Sequence, residues 1–262
     1  GFPTVDAVVI EDCNFDQNSA GGDGGAIAVL GAAPLSVSGS AFANNSAGGF
    51  GGAIAVKNQL VAMRSFVSFG ATSFSGNSAS SGGGALSCAQ GKGAETRTVC
   101  EDCVFLQNTA VGRGGAVSFD CTAWMAAGGG FWENHAHQSH GGAVAFGSHV
   151  ECPSKSYFRD VTFKRNRADG LGGVVYFDHL EPRCKMPMRR DGSLDTSDTS
   201  TWSWSFGVAA VSENTAASGP LQATLPAVVQ LRCEDNLAPS EITYGCRAEG
   251  TRVVYDSAAP GM

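Results

Sequence analysis

The chain has 262 residues, a net charge of −7, an isoelectric point near 5.2 and only 16% charged residues. That acidic balance argues against nucleic acid, whose binders carry a basic patch, and no apolar run approaches the ~18 residues of a membrane span. Glycine, with 36 residues, is far above its usual share, and no stretch sustains the i, i+3, i+4, i+7 spacing of a helix, which leaves the all-β classes.

In chain order, the extended segment Val8-Val9-Ile10 leads to Phe15, Asn18, Ala20 and a Gly24-Gly25-Ala26 corner, after which Ile27 and Val29 open another strand. The same succession recurs. Leu35 to Val37 precedes Phe42, Asn45 and Gly51-Gly52, and Ser65 to Phe69 precedes Phe74, Asn77 and Gly83-Gly84. Further copies carry Phe105, Asn108 and Gly114-Gly115, then Phe131, Asn134 and Gly141-Gly142, then Phe163, Asn166 and Gly172-Gly173. Two degenerate copies keep the Asn-x-Ala core alone, at Asn214 and Asn236. Successive asparagines lie 27, 32, 31, 26, 32, 48 and 22 residues apart, in the range of stacked supersecondary units.

Aligned on Gly-Gly, the following strand gives an apolar column of Ile27, Ile54, Leu86, Val117, Val144 and Val175. Two residues on comes a second, Val29, Val56, Cys88, Phe119, Phe146 and Phe177. Between them runs a small column, Ala28, Ala55, Ser87, Ser118 and Ala145, broken by Tyr176. This alternation is that of strands with one face always buried. Short strands with glycine corners, repeated every ~30 residues, predict coils that stack into a parallel β-solenoid. Glycine supplies corner conformations closed to other residues, and asparagine tolerates the left-handed region, bonds turn backbone and can form a ladder from rung to rung. The ladder is assigned to Asn18, Asn45, Asn77, Asn108, Asn134, Asn166, Asn214 and Asn236, and its role is read as holding the coils together.

These motifs resemble the Gly-Gly-Ala-Ile and Phe-x-x-Asn repeats of the chlamydial polymorphic outer-membrane-protein family, over about Val8 to Asn236. The resemblance implies an all-β, right-handed parallel β-helix displayed at a cell surface, here of about eight coils and ~35 Å of stack by strand spacing. No β-barrel translocator is expected after the repeats, which would depart from the membrane-anchored family. Residues 1–178 read as regular coils, 179–201 as an insertion loop within the solenoid, and 202–262 as degenerate coils and a cap.

Nine cysteines point to an oxidising compartment. Cys13 and Cys103, two before the motif phenylalanine, and Cys88, in an apolar column, are expected to point inward as small hydrophobes. The other six pair by proximity: Cys152 with Cys184, Cys233 with Cys246 and Cys100 with Cys121, although sequence alone does not prove connectivity. Cys100-x-x-Cys103 has no second such pair, which weighs against a metal. The run His135, His137, His140 spans a turn and is read as a solvated loop, with a metal site joining His140 to His135 or His137 as the rival.

Parallel β-helices also carry polysaccharide lyases and hydrolases, which need clustered carboxylates with a basic residue. Asp120 and Asp178 share an offset after Gly-Gly, but Gly147 stands between them and nothing basic repeats beside them. The insertion presents Arg189 and Arg190, and Trp202 and Trp204 follow at i, i+2, either capping the core or forming a contact surface. Asn44 heads the chain's single Asn-x-Ser/Thr sequon, at a coil turn, and is the candidate glycosylation site.

The expected function is therefore a non-catalytic extracellular or cell-surface scaffold, a building block of a filament, appendage or coat, with no cofactor and no metal. Its partners are other protein subunits or further coils at the N-terminal end, because the strand from Val5 to Phe15 begins without a cap; glycans are a further class. The alternatives are an adhesin or glycan-binding surface protein, and, further off, a polysaccharide lyase or hydrolase. Peptide mapping without reductant is expected to recover Cys152 joined to Cys184; both as free thiols would count against an oxidising compartment.

Overall fold

The computed structural model describes residues 7–58, 64–91, 95–120, 123–147, 155–177, 203–217, 222–224, 230–231 and 253–254. The first coil sets the pattern. Strand β1 (Val8–Glu11) turns into β2 (Asn14–Asp16), a second turn leads to β3 (Ser19–Ala20), and the glycine corner leads to β4 (Ile27–Leu30). The second coil repeats it as β5 (Leu35–Ser38), β6 (Ala41–Ala43), β7 (Ser46–Ala47) and β8 (Ile54–Asn58). These strands pair in parallel with their equivalents one coil away, Val8 with Leu35, Phe15 with Phe42, Ser19 with Ser46 and Ile27 with Ile54, and the one antiparallel pair among the described residues is Gln230–Leu231 with Val253–Val254. The result is a parallel β-solenoid with long sheets running along its axis, of twelve, six and seven strands. The β1 and β2 columns belong to the twelve-stranded sheet, joined through Lys155–Lys164, which pairs with both.

The six-stranded sheet has a rung at β3, β7, Ser78–Ala79, Thr109–Ala110, His135–Ala136 and Arg167–Ala168, so the described residues hold five full turns between six rungs. A seventh begins where Arg167 bridges Thr215. The stack is thus shorter than the eight coils expected. The copy at Asn214, without its phenylalanine and Gly-Gly, still carries the ladder into this seventh rung, while Asn236 and the insertion at 179–201 lie outside the described residues.

Each motif asparagine is fully buried from Asn45 to Asn166, and its amide is saturated. In the middle of the stack, Asn77 Oδ1 accepts both the backbone N–H of Asn45 (3.0 Å) and its Nδ2–H (2.9 Å). Asn77 Nδ2 donates to Asn108 Oδ1 at 2.9 Å and to the carbonyl of Phe42, the motif phenylalanine of the preceding coil, also at 2.9 Å. Two donors and two acceptor sites are all that a primary amide has. The same bonds link Asn18 to Asn45, Asn108 to Asn134, Asn134 to Asn166 and Asn166 to Asn214. The last link spans 48 residues of chain, so the ladder keeps register across the inserted segment.

Beside it the phenylalanines form a second column. Rings of Phe15, Phe42, Phe74, Phe105, Phe131 and Phe163 stack face to face at centroid distances of 4.7, 5.1, 4.8, 4.6 and 5.0 Å, which is the spacing of neighbouring strands. Phe69 and Phe158 close on the edges of Phe74 and Phe163, in the T-shaped geometry that aromatic rings favour.

The glycines of each pair do different work. Gly83 has φ +64°, a left-handed conformation, whereas a Cβ on Gly84 would lie 2.1 Å from the carbonyl oxygen of Gly115 in the next coil. At the other corners the left-handed residue is rarely glycine. It is not the ladder asparagine either, as the sequence suggested, but the residue before it: Gln17, Asn44, Gly76, Gln107, Glu133, Arg165 and Glu213 have φ of 52° to 62°. The small column after Gly-Gly is buried as well, at Ala55, Ser87, Ser118, Ala145 and Tyr176, because the glycine corner folds back over it. A Cβ on Gly141 would come 3.0 Å from that of Ala145.

Two substitutions separate these causes. Gly84→Ala is expected to cost more than ~2 kcal/mol, since backbone must move, while Gly21→Ala, with nothing within 4 Å, stays within ~0.5 kcal/mol. Asn77→Ala strips the partners from the Asn45 amide and the Phe42 carbonyl and is expected to cost about 1 to 3 kcal/mol. Chemical denaturation measures all three; equal midpoints for Gly84→Ala and Gly21→Ala would refute the steric account.

Candidate functional site

Because the ladder asparagine and the alanine two residues on both point inward, the residue between them points out. Stacking turns this position into an outward column of Ser19, Ser46, Ser78, Thr109, His135 and Arg167, paired rung on rung. Its small side chains leave a groove of about 440 Å³ along the six-stranded sheet, floored by hydroxyls and lined also by Val111 and His137. Ser46 Oγ donates to Ser19 Oγ at 3.0 Å, so two hydroxyls of the floor bond from rung to rung.

Toward His137 the column changes chemistry. His135 and His137 flank the fully buried Ala136 and so both face outward, with ring centroids 3.7 Å apart. One rung on, Asp169 stands three residues after its asparagine, the offset that His137 has from Asn134. His135 Nε2 lies 3.0 Å from Asp169 Oδ1, and the Gln138 amide donates to Oδ2 at 3.1 Å. Arg167 also reaches Oδ1, through Nε at 3.1 Å and Nη2 at 3.0 Å. The hydrogen bond with His135, then that from Gln138, holds the Asp169 carboxyl far below the usual carboxylate range. Desolvation, then the neighbouring His135 ring, lowers the His137 imidazole below its ordinary value.

His140, the third histidine of the run, does not join this cluster. Its ring packs on Tyr176 at 4.5 Å and its Nδ1 accepts the backbone N–H of Leu171 at 2.9 Å, so it faces the glycine corner instead. Asp169 takes its place. The signal was present in the repeat register, since Asn134 and Asn166 align His137 with Asp169 as directly as they align the core.

Other expected residues fall as follows. Asn44 is exposed at its corner with φ 52°, its Nδ2 donating to Asp16 at 3.2 Å. Asp120 is engaged by Arg113, whose Nη2 lies 2.9 and 3.0 Å from the two carboxylate oxygens. Trp204 is placed by its backbone opposite Ser156, with its side chain outside the description. Arg189, Arg190, Trp202, Asp178, Cys121, Cys152, Cys184, Cys233 and Cys246 lie outside the described residues.

The cysteines depart from expectation. Cys100 is a free, buried thiol rather than the partner of Cys121, and Cys88 is disulfide-bonded rather than free. Cys100 packs against Cys103, which is also free and buried; burial first, then the Cys103 thiol, raises the Cys100 pKa well above its usual value. Cys13 is exposed, since no described rung covers it. Cys13, Ser40, Thr72 and Cys103 form a column the sequence did not reveal. Each donates from Sγ or Oγ to the carbonyl two residues back, at 3.1, 2.8, 2.9 and 3.6 Å, across a left-handed corner residue.

Comparison with known families agrees with the fold. Residues 12–29 and 71–89 match the Chlamydia polymorphic membrane protein repeat. Each segment runs from a left-handed corner through the Phe and Asn columns and Gly-Gly into the strand beyond, so these two segments are similar to that repeat over the whole motif. No curated protein and no solved structure matches the chain.

The thiols offer a direct check. In the folded protein at pH 8, Cys13 is expected to be alkylated readily and Cys100 and Cys103 only after unfolding, because the thiolate is the nucleophile and Cys100 holds its proton. Mass spectrometry of tryptic peptides would read this, and equal labelling of Cys13 and Cys100 would contradict the placement.

Proposed function

We propose that the chain is a non-catalytic structural segment of an extracellular or cell-surface protein, a rigid building block of a larger assembly. The observation that carries this reading is where the recurring residues go. In the coils that carry the full motif, asparagine and phenylalanine hold one coil to the next while the glycines make the corner and its close approach to the neighbouring coil, so what the repeats encode is a shaft and its length. The match to a membrane-protein repeat of a surface family supports the location. Arg113 Nη2 engages both oxygens of Asp120, so Asp120 is the carboxylate on which a hydrolytic reading is tested.

Several features suit assembly. β1, β2, β3 and β4 each stand at the end of their sheet's strand order, and Val8, Val9 and Leu30 are exposed on that first rung. Further coils or another subunit would cover these strand edges. Asn44 projects from the shaft where a secreted eukaryotic form has room for a glycan. An adhesive or glycan-binding role is the second reading, favoured by the hydroxyl-floored groove.

Antibodies raised against the folded chain are expected to label intact cells of the source organism, and labelling only after permeabilisation would refute the surface location. Incubation with a panel of acidic and neutral polysaccharides is expected to release no unsaturated or reducing ends. Turnover lost with Asp120→Asn would establish an enzyme instead.

A further inference from the structure

The geometry points to a divalent transition-metal site formed by His135, His137 and Asp169 at the end of the hydroxyl groove. It is independent of the structural role proposed above. One ligand atom from each residue can be chosen so that all lie within 4.8 Å of one another. Four ligands around zinc at ~2.1 Å stand ~3.4 Å apart in a tetrahedron, so the 3.0 Å between His135 Nε2 and Asp169 Oδ1 is near a ligand edge. His137 needs only a side-chain rotation, which its exposure permits.

The fold supplies the rest of what such a site requires. His135 and His137 sit on one rung and Asp169 on the next, so the convergence is fixed by backbone pairing, with the His137 amide bonded to Ala110 and the Asp169 amide to Ala136. The Gln138 amide holds Oδ2 and thereby aims Oδ1, the outer support that metal-binding carboxylates commonly have. Arg167 occupies Oδ1 now and would swing toward solvent when the ion enters; its side chain is 62% exposed. Two imidazoles and one carboxylate select a borderline ion of the zinc, nickel or copper class over calcium or magnesium, which prefer oxygen alone. Three protein ligands leave a position for water or for a donor atom from whatever lies in the groove.

Calorimetric titration of the chelator-treated full chain with zinc chloride is expected to show one equivalent bound. Asp169→Asn and His137→Ala should each weaken it about tenfold or more. All three side chains are on the surface, and thermal melting in chelator should find the variants folded. Cobalt titration distinguishes these ligands from the thiols: a site of histidine and carboxylate lacks thiolate-to-cobalt charge-transfer absorption. No saturable zinc binding, binding undiminished in both variants, or a thiolate band on cobalt would each overturn the assignment.

Discussion

The hydrogen bond from one asparagine amide to the next is the constraint on which the rest of the molecule depends. A coil of short strands has little core of its own, and its second corner would bury backbone groups without partners. The asparagine answers both needs, taking the amide of its counterpart in the preceding coil and the carbonyl of that coil's phenylalanine. Aspartate lacks the donor, and leucine offers neither. Once the ladder is in register, the phenylalanine rings fall into a stack at strand spacing and the residues between asparagine and alanine are forced outward.

From that register the chemistry of the surface follows. Positions that face inward are held to a few residue types by packing, whereas the outward positions are free to vary. They vary in columns, so a change at one rung sits beside its equivalents on the rungs either side. Serine over serine makes a groove floor; histidine beside arginine and aspartate makes a cluster of opposite charges. Local function in such a shaft is a matter of which columns change, and at which rung.

How much of this was legible beforehand depended on the column. The Phe, Asn and Gly-Gly columns could be read by aligning copies, because identical residues must stack on themselves. The left-handed corners could not, since glutamine, asparagine, glycine, glutamate and arginine all occupy the place before the ladder asparagine and share only a backbone angle. Cys100 escapes reasoning by stacking because the thiol it packs against, Cys103, is three residues away on its own coil, across a turn, and not on the coils above and below. The histidine cluster was half visible. Three histidines in a run drew attention to themselves, while Asp169 lay 32 residues past His137 and became its neighbour only through the pairing of rungs.

The asparagine ladder also has a direction. Every Oδ1 in it faces the preceding coil and receives bonds from there, and every backbone N–H of a ladder asparagine faces the following coil, while Nδ2 divides, one hydrogen continuing the ladder and the other turning back to the preceding phenylalanine carbonyl. The bonds from backbone N–H to Oδ1 therefore all run one way along the column. Brought together by like ends, two columns would not continue it, because Oδ1 would meet Oδ1 or backbone N–H would meet backbone N–H. The ladder continues only head to tail, a contact that leaves the same unlike ends exposed after every addition and so has no built-in stop. A shaft of this kind is a vector, and anything that lengthens it must share its polarity.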